Sequence, residues 1–211
     1  MNTKEIQKVD PSNLGWLEYK LNSKEMDYVW RCIENKKGDE KKKLAGNISS
    51  SCLLMDRGDW FFTNVCNPLM FEYCERFKNL GDGIPTNMKH PYCMHSWWVN
   101  YQKQNEFNPI HNHGGVYSFV IWMKIPYNWK RQNQKDIARK SNGPQIGSFQ
   151  FTYSDILGEM RTHSYNLSSQ DEETLLLFPS KLSHQVYPFY DCNEDRISIS
   201  GNVSLNTMKI I

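Results

Sequence analysis

The sequence predicts a chain of the α+β class that is mostly β, with N-terminal helices packed on the outside of an antiparallel strand assembly. Three observations predict it. Apolar residues recur with a helical period through the first third of the 211 residues. Beyond the turn Gly81-Asp-Gly-Ile-Pro85 the period changes to that of a strand. From there short alternating runs follow one another between turn residues, the pattern of a sandwich or barrel. Helices first and strands afterwards suggest helices laid over an antiparallel sheet.

Trp16–Leu21 alternates and predicts a first strand. Ser23 is a suitable N-cap for a helix whose Met26, Val29, Trp30 and Ile33 form one apolar stripe, ending near Lys36-Lys37-Gly38. The charge-rich run from Lys36 to Lys43 reads as a solvated loop. A second helical region spans about Asp59 to Asn79, with Phe61, Val65, Leu69, Tyr73 and Phe77 at every fourth position and Pro68 set to break or kink it. Strands are expected at Ser96–Lys103, Val116–Ile125, Ile146–Tyr153, Arg161–Leu167, Thr174–Phe178, His184–Phe189 and Arg196–Ser204. Pro126–Gln145 is basic and poor in apolar residues, and is read as a loop inserted between strands, either a solvated excursion or a lid.

The length suits one domain over 1–211, with 1–90 as a mainly helical support region and 91–206 as the strand core. A formal net charge of +2 gives no reason to expect a nucleic acid or acidic membrane as partner. No apolar run approaches the roughly 18–20 residues that span a bilayer. The polar start Met1-Asn-Thr-Lys-Glu-Ile-Gln-Lys lacks a signal-peptide core, so a cytoplasmic location is expected. The 6 cysteines show no paired spacing and are expected to be free thiols.

The chemistry concentrates in Asn108-Pro-Ile-His-Asn-His-Gly-Gly. In an extended chain His111 and His113 project to the same side and can bite one metal ion. A third ligand is expected from His184, which follows the Phe178-Pro179-Ser180 turn at the head of a new strand. Three neutral imidazoles on rigid strands would take one face of an octahedral ion and leave positions open. Further on, Arg196, Ser198, Ser200 and Asn202 alternate with Ile197, Ile199 and Val203. An arginine pointing into a barrel is costly unless an anion meets it. Its guanidinium matches a carboxylate, and a hydroxyl two residues on adds a contact. A small carboxylic acid cosubstrate follows; the plainer reading of Arg196 is a surface ion pair with Glu194 or Asp195.

The ordered series Asn108, His111, His113, Ser118, Phe178-Pro179-Ser180, His184, Val186, Pro188 and Arg196-Ile-Ser-Ile-Ser resembles the iron(II)- and 2-oxoglutarate-dependent oxygenases. In particular it resembles a branch with an H-x-H motif, often encoded by bacteriophages and marine bacteria; Trp98-Val-Asn100 resembles that branch's lead-in strand, and Leu44-Ala-Gly-Asn-Ile48 adds support. The resemblance spans about Ser96 to Leu205.

It implies a double-stranded β-helix core (jelly-roll, cupin-like), Fe(II) held by His111 and His184, and 2-oxoglutarate gripped by Arg196 with Ser198. His113 stands where the wider superfamily has Asp or Glu, which leaves the site one charge more positive, and Phe119 stands where the branch commonly has Gly. The implied reaction consumes 2-oxoglutarate and O2, releases succinate and CO2, and hydroxylates a substrate of which a prolyl or other peptidyl side chain is the class suggested by analogy. Asn100, Ser118, Gln102 and Tyr101 are candidate contacts to the cosubstrate or to the metal ligands; the inward face of their strand is left open, with Asn100 favoured. Trp97, Trp98, Trp122 and Phe149 read as core, and His90, His95 and His163 as structural or surface residues. Two other readings compete: a cupin-type metalloenzyme that does not use 2-oxoglutarate, against which the Arg-x-Ser pair speaks, and a non-catalytic jelly-roll binding module.

Overall fold

The computed structural model describes residues 13–38, 46–143 and 145–210. The Met1–Lys8 stretch, the run from Asp39 to Lys43, Leu44 and Ala45 of the resemblance, and Pro144 of the insert lie outside the described residues.

Ten strands form two antiparallel sheets: β1 Leu17–Lys20, β2 Ser50–Leu53, β3 Tyr92–Gln102, β4 Asn108–His111, β5 Tyr117–Lys124, β6 Ser148–Ser154, β7 Met160–Asn166, β8 Thr174–Pro179, β9 Ser183–Val186 and β10 Arg196–Leu205. The larger sheet has the order β1-β8-β5-β10-β3-β2 and the smaller one β4-β9-β6-β7. From β3 onward the chain crosses between sheets at every connection but β6–β7, which is a jelly roll. The expected core is therefore present.

Alternation along β5 explains why its sequence is almost continuously apolar. Tyr117, Phe119, Ile121 and Met123 point to a core shared with Phe61, Val65 and Tyr73. Val120 and Trp122 point between the sheets, where they meet Phe149, Phe151 and Phe178. Both faces are buried, so no polar face survives. Each fully buried side chain of this size contributes about 1.5–3 kcal/mol.

Helix α1, Ser23–Glu34, is capped by Asn22 rather than Ser23. The Asn22 side chain accepts from the Glu25 N–H and the Glu25 carboxylate accepts from the Asn22 N–H, a reciprocal capping box that Ser23 cannot make. Met26, Val29 and Ile33 are buried as expected, and Trp30 is half-buried. The second helical region is held together through Pro68 by a π turn over Phe62–Cys66, in which the Asn67 N–H reaches back to Phe62 O. The widened turn makes room for the proline, which lies in the first turn of α2, Asn67–Arg76.

Two strands escaped the sequence reading. β2 is serine-rich and β4 begins Asn-Pro, so neither shows a strand's apolar alternation. β1, the strand expected at Trp16–Leu21, and β2 extend the larger sheet at both edges through β8 and β3. The 126–145 insert forms two short helices, α3 Trp129–Gln132 and α4 Asp136–Arg139. Gln132 is buried and bonds the backbone of Tyr190 through both amide atoms. All 6 cysteines are free, with Cys32, Cys52 and Cys66 buried. No helix among the described residues is long and apolar enough to cross a membrane.

Candidate metal and cosubstrate site

β4 and β9 pair so that His111 and His184 lie directly opposite. His113 follows in the loop after β4, where its N–H bonds Ser180 O at 2.9 Å. The chain then turns at Gly115, whose φ of +92° and close approach to Val203 O suit glycine alone. The ligand-capable nitrogens of the three imidazoles lie within 4.8 Å of one another, and His113 Nε2 is 3.2 Å from His184 Nε2. His111 Nδ1 meets Pro109 O at 2.7 Å and His184 Nδ1 meets Leu182 O at 3.0 Å. A carbonyl can only accept, so each Nδ1 carries the proton and each Nε2 keeps its lone pair.

Burial lowers the pKa of all three rings. It is the largest cause for His111; His113 falls to about 4 and His184 to about 3, with neighbouring imidazoles lowering both further. The rings are therefore neutral at pH 7, the form that binds a metal. Three neutral nitrogen donors fit iron(II) and related first-row ions. Among the described residues no Asp or Glu joins the group.

Arg196 opens β10, opposite Gln102. It is 2% exposed. Its Nη1 donates to the Tyr127 hydroxyl at 2.6 Å and to Gly147 O at 3.4 Å, and its Nη2 donates to Gln102 Oε1. The surface ion pair is not formed: Glu194 pairs with Lys124 at 2.6 Å instead. A guanidinium carries five N–H donors. With three engaged by neutral groups, two remain for a carboxylate, which fits the cosubstrate the Arg-x-Ser pattern implies.

The triad and Arg196 line one cavity of about 180 Å³ together with Asn100, Gln102, Ser198 and Ser200. On β3, Trp98, Asn100 and Gln102 face inward, while Trp97, Val99 and Tyr101 face the helical core. Asn100 is tied to Ser51 at 2.7 Å and Ser200 at 3.4 Å. Ser118 does not line the cavity. It lies one row beyond Val120 on the inner face of β5, where its hydroxyl donates to Asn202 Oδ1 at 2.8 Å. Tyr101 is likewise removed from the candidates by its outward face. Trp98, Trp122 and Phe149, expected only as core, are buried and also form cavity wall; Trp97 is core alone.

Tyr127 was missed because nothing in its Pro-Tyr-Asn context marks it. It becomes relevant only when Gly147, with φ +69°, folds the far end of the insert against its ring. No described residue between 128 and 145 lines the cavity; the insert packs instead beside Tyr190 and Asp191. His95 and His163 are exposed and His90 is half-buried, its Nδ1 on Lys209 O.

A family model described as "Putative 2OG-Fe(II) oxygenase" matches residues 96–202, half of the chain. No curated protein matches it in sequence. Similar solved structures include a Pseudomonas putida prolyl-4-hydroxylase, 13% identical over 92% of this chain and 94% of that one, with a TM-score of 0.47. Another is a viral collagen prolyl hydroxylase from Paramecium bursaria Chlorella virus-1 in complex with 2-oxoglutarate, at 14% identity, 89% and 94% coverage and a TM-score of 0.47. A third is HygX from Streptomyces hygroscopicus with nickel, 2-oxoglutarate and hygromycin B bound, at 10% identity, 92% and 84% coverage and a TM-score of 0.46.

Proposed function

This chain belongs to the 2OG-Fe(II) oxygenase family, with iron(II) and 2-oxoglutarate as its cofactors, and from that premise we propose that it is a hydroxylase of a peptidyl side chain, prolyl or other. His111, His113 and His184 would hold the iron through Nε2 atoms. Arg196 would hold the distal carboxylate of 2-oxoglutarate, with Ser198 beside it. When bound, the iron and 2-oxoglutarate supply oxidative decarboxylation of the cosubstrate by O2 to succinate and CO2, coupled to hydroxylation of a C–H bond.

The chain's own residues orient and exclude water. Pro109 O and Leu182 O fix the tautomers of two rings. Tyr127 and Gln102 hold the guanidinium in place. Trp98, Trp122, Phe149, Phe178 and Val186 give the reacting group an apolar wall. The whole of 1–211 is proposed as one catalytic unit, with 91–206 carrying the site.

The observation that carries this reading is a buried guanidinium without a carboxylate partner among the described residues, sharing one cavity with three neutral imidazoles. The same observation disfavours a cupin-type enzyme that does without the dicarboxylic acid. The test is anaerobic addition of Fe(II) and then 2-oxoglutarate, followed by oxygen. A visible metal-to-ligand absorption band and succinate release are expected; their absence would return the protein to the class of non-catalytic binding modules.

A further inference from the structure

Asn108 opens β4 and is one of the residues that line the cavity beside the triad. Its Oδ1 is buried and lacks a hydrogen-bond partner, as do Trp97 Nε1 and Asn133 Oδ1 among the described residues. Of these three residues only Asn108 lines the site. Buried acceptors are rarely left unmatched, because desolvation is then uncompensated. Its Nδ2 lies 3.4 Å from His111 Nε2, the lone pair that faces a metal. Once that lone pair is engaged, the amide donor is free as well. Turned about its Cβ–Cγ bond, the carboxamide then offers one donor and one acceptor to whatever enters.

The rest of the lining narrows what that is. Apart from Arg196 and the imidazoles, no ionisable side chain among the described residues lines the cavity. Asn100 is occupied by Ser51 and Ser200, and Gln102 by Arg196 and Glu106 O. The entering group is therefore uncharged; of the polar side chains left open to it, Asn112 is exposed and Ser198 is assigned to the cosubstrate, which leaves Asn108 as the buried contact.

We propose that Asn108 binds the primary substrate as a peptide, its Oδ1 accepting a backbone N–H and its Nδ2 donating to the carbonyl of the same extended residue. An extended residue presents N–H and C=O to one side, as in a paired strand, which matches a carboxamide's two atoms. This rests on the peptidyl hydroxylase reading and assigns it a recognition residue.

The experiment uses the full chain loaded anaerobically with Fe(II) and 2-oxoglutarate. Capped tripeptides, acetyl-Ala-Xaa-Ala-amide, are titrated against tryptophan emission, since Trp98 and Trp122 line the cavity, and succinate release is read after oxygen is admitted. The best peptide is then rebuilt with an ester in place of each amide N–H in turn. One ester is expected to raise half-saturation about tenfold, the worth of one hydrogen bond, and that penalty is expected to vanish in Asn108→Ala. A flat ester scan, an equal penalty in Asn108→Ala, or no response to any peptide overturns the proposal. The scan on the native protein decides alone if the variant does not fold. A peptide response with a flat ester scan removes this inference alone; an absorption band without any peptide response removes the peptidyl reading as well, and no band removes the oxygenase activity with them.

Discussion

Arg196 Nη1 donates to the Tyr127 hydroxyl at 2.6 Å, and that hydroxyl donates onward to Gly147 O at 2.7 Å. The relay fixes the guanidinium from behind. Burial pushes the Tyr127 phenol up, so it stays a neutral donor at working pH. Tyr127→Phe keeps the ring and removes the nearer of the two acceptors of Nη1. The dissociation constant for 2-oxoglutarate, read anaerobically from the metal absorption band, is expected to rise about two- to thirteenfold, for a loss of about 0.5–1.5 kcal/mol. Gly147→Ala should also lower thermal stability, because its added Cβ would lie 2.6 Å from the Tyr127 ring at a φ of +69°. An unchanged constant in both variants would show that the relay does not matter to the cosubstrate.

Arg196→Lys keeps the charge and loses the two-pronged geometry. Each charge-assisted hydrogen bond lost costs about 1.5–3 kcal/mol. The 2-oxoglutarate requirement should rise by at least about tenfold, while stabilisation by metal alone is retained. Loss of the metal response instead would place Arg196 in the support of the triad.

His184→Ala removes the most buried of the three rings. A metal at a hundredfold its dissociation constant stabilises by about 2.7 kcal/mol. That corresponds to a rise of about 5–10 °C in the melting temperature of a chain this size. The rise, measured with Fe(II) under anaerobic conditions or with Ni(II) in air, should be absent in His184→Ala.

His113→Asp exchanges a neutral donor for an anion at the same place in the loop. The metal-induced rise in melting temperature should increase if residue 113 ligates, because an anion then replaces a neutral donor at the ion. An unchanged rise on a lower metal-free melting temperature would assign His113 to packing against Trp98, whose ring centroid lies 5.8 Å away.

Acid should destabilise the metal-free protein. His113 and His184 titrate in the fold at about 4 and about 3, below their ordinary 6.5, because burial disfavours their charged forms. Between those values the unfolded chain binds more protons than the native one, so stability falls as pH drops from about 6.5 towards 4. The slope is at most about 1.4 kcal/mol per pH unit for each ring. Above pH 7 these rings contribute no slope. Melting temperatures from pH 4 to 8 with a chelator present check the sign; stabilisation on acidification would mean that the rings are charged in the fold.

Much of this was legible in the sequence because it rests on period and order. The two-residue rhythm after Pro85 announced most of the strands, and the alternation of Arg196, Ser198 and Ser200 announced an inward polar face. Other features belong to tertiary structure. Asn22 displaces Ser23 as cap only because Glu25 returns the bond. Ser118 shares its inward face with Val120, yet the Asn202 side chain claims its hydroxyl. Tyr127 and Gly147 meet across the insert, a contact that no local pattern encodes.

His111 and His184 stand on the smaller sheet, while Arg196 stands on β10, which is flanked on both sides in the larger one. A diacid reaching from the triad to the guanidinium must therefore bridge two layers, and the interlayer spacing becomes a calliper for chain length. Repacking at Phe149 or Trp122, which meet between those layers at 5.9 Å, would reset that gauge without touching a single polar contact.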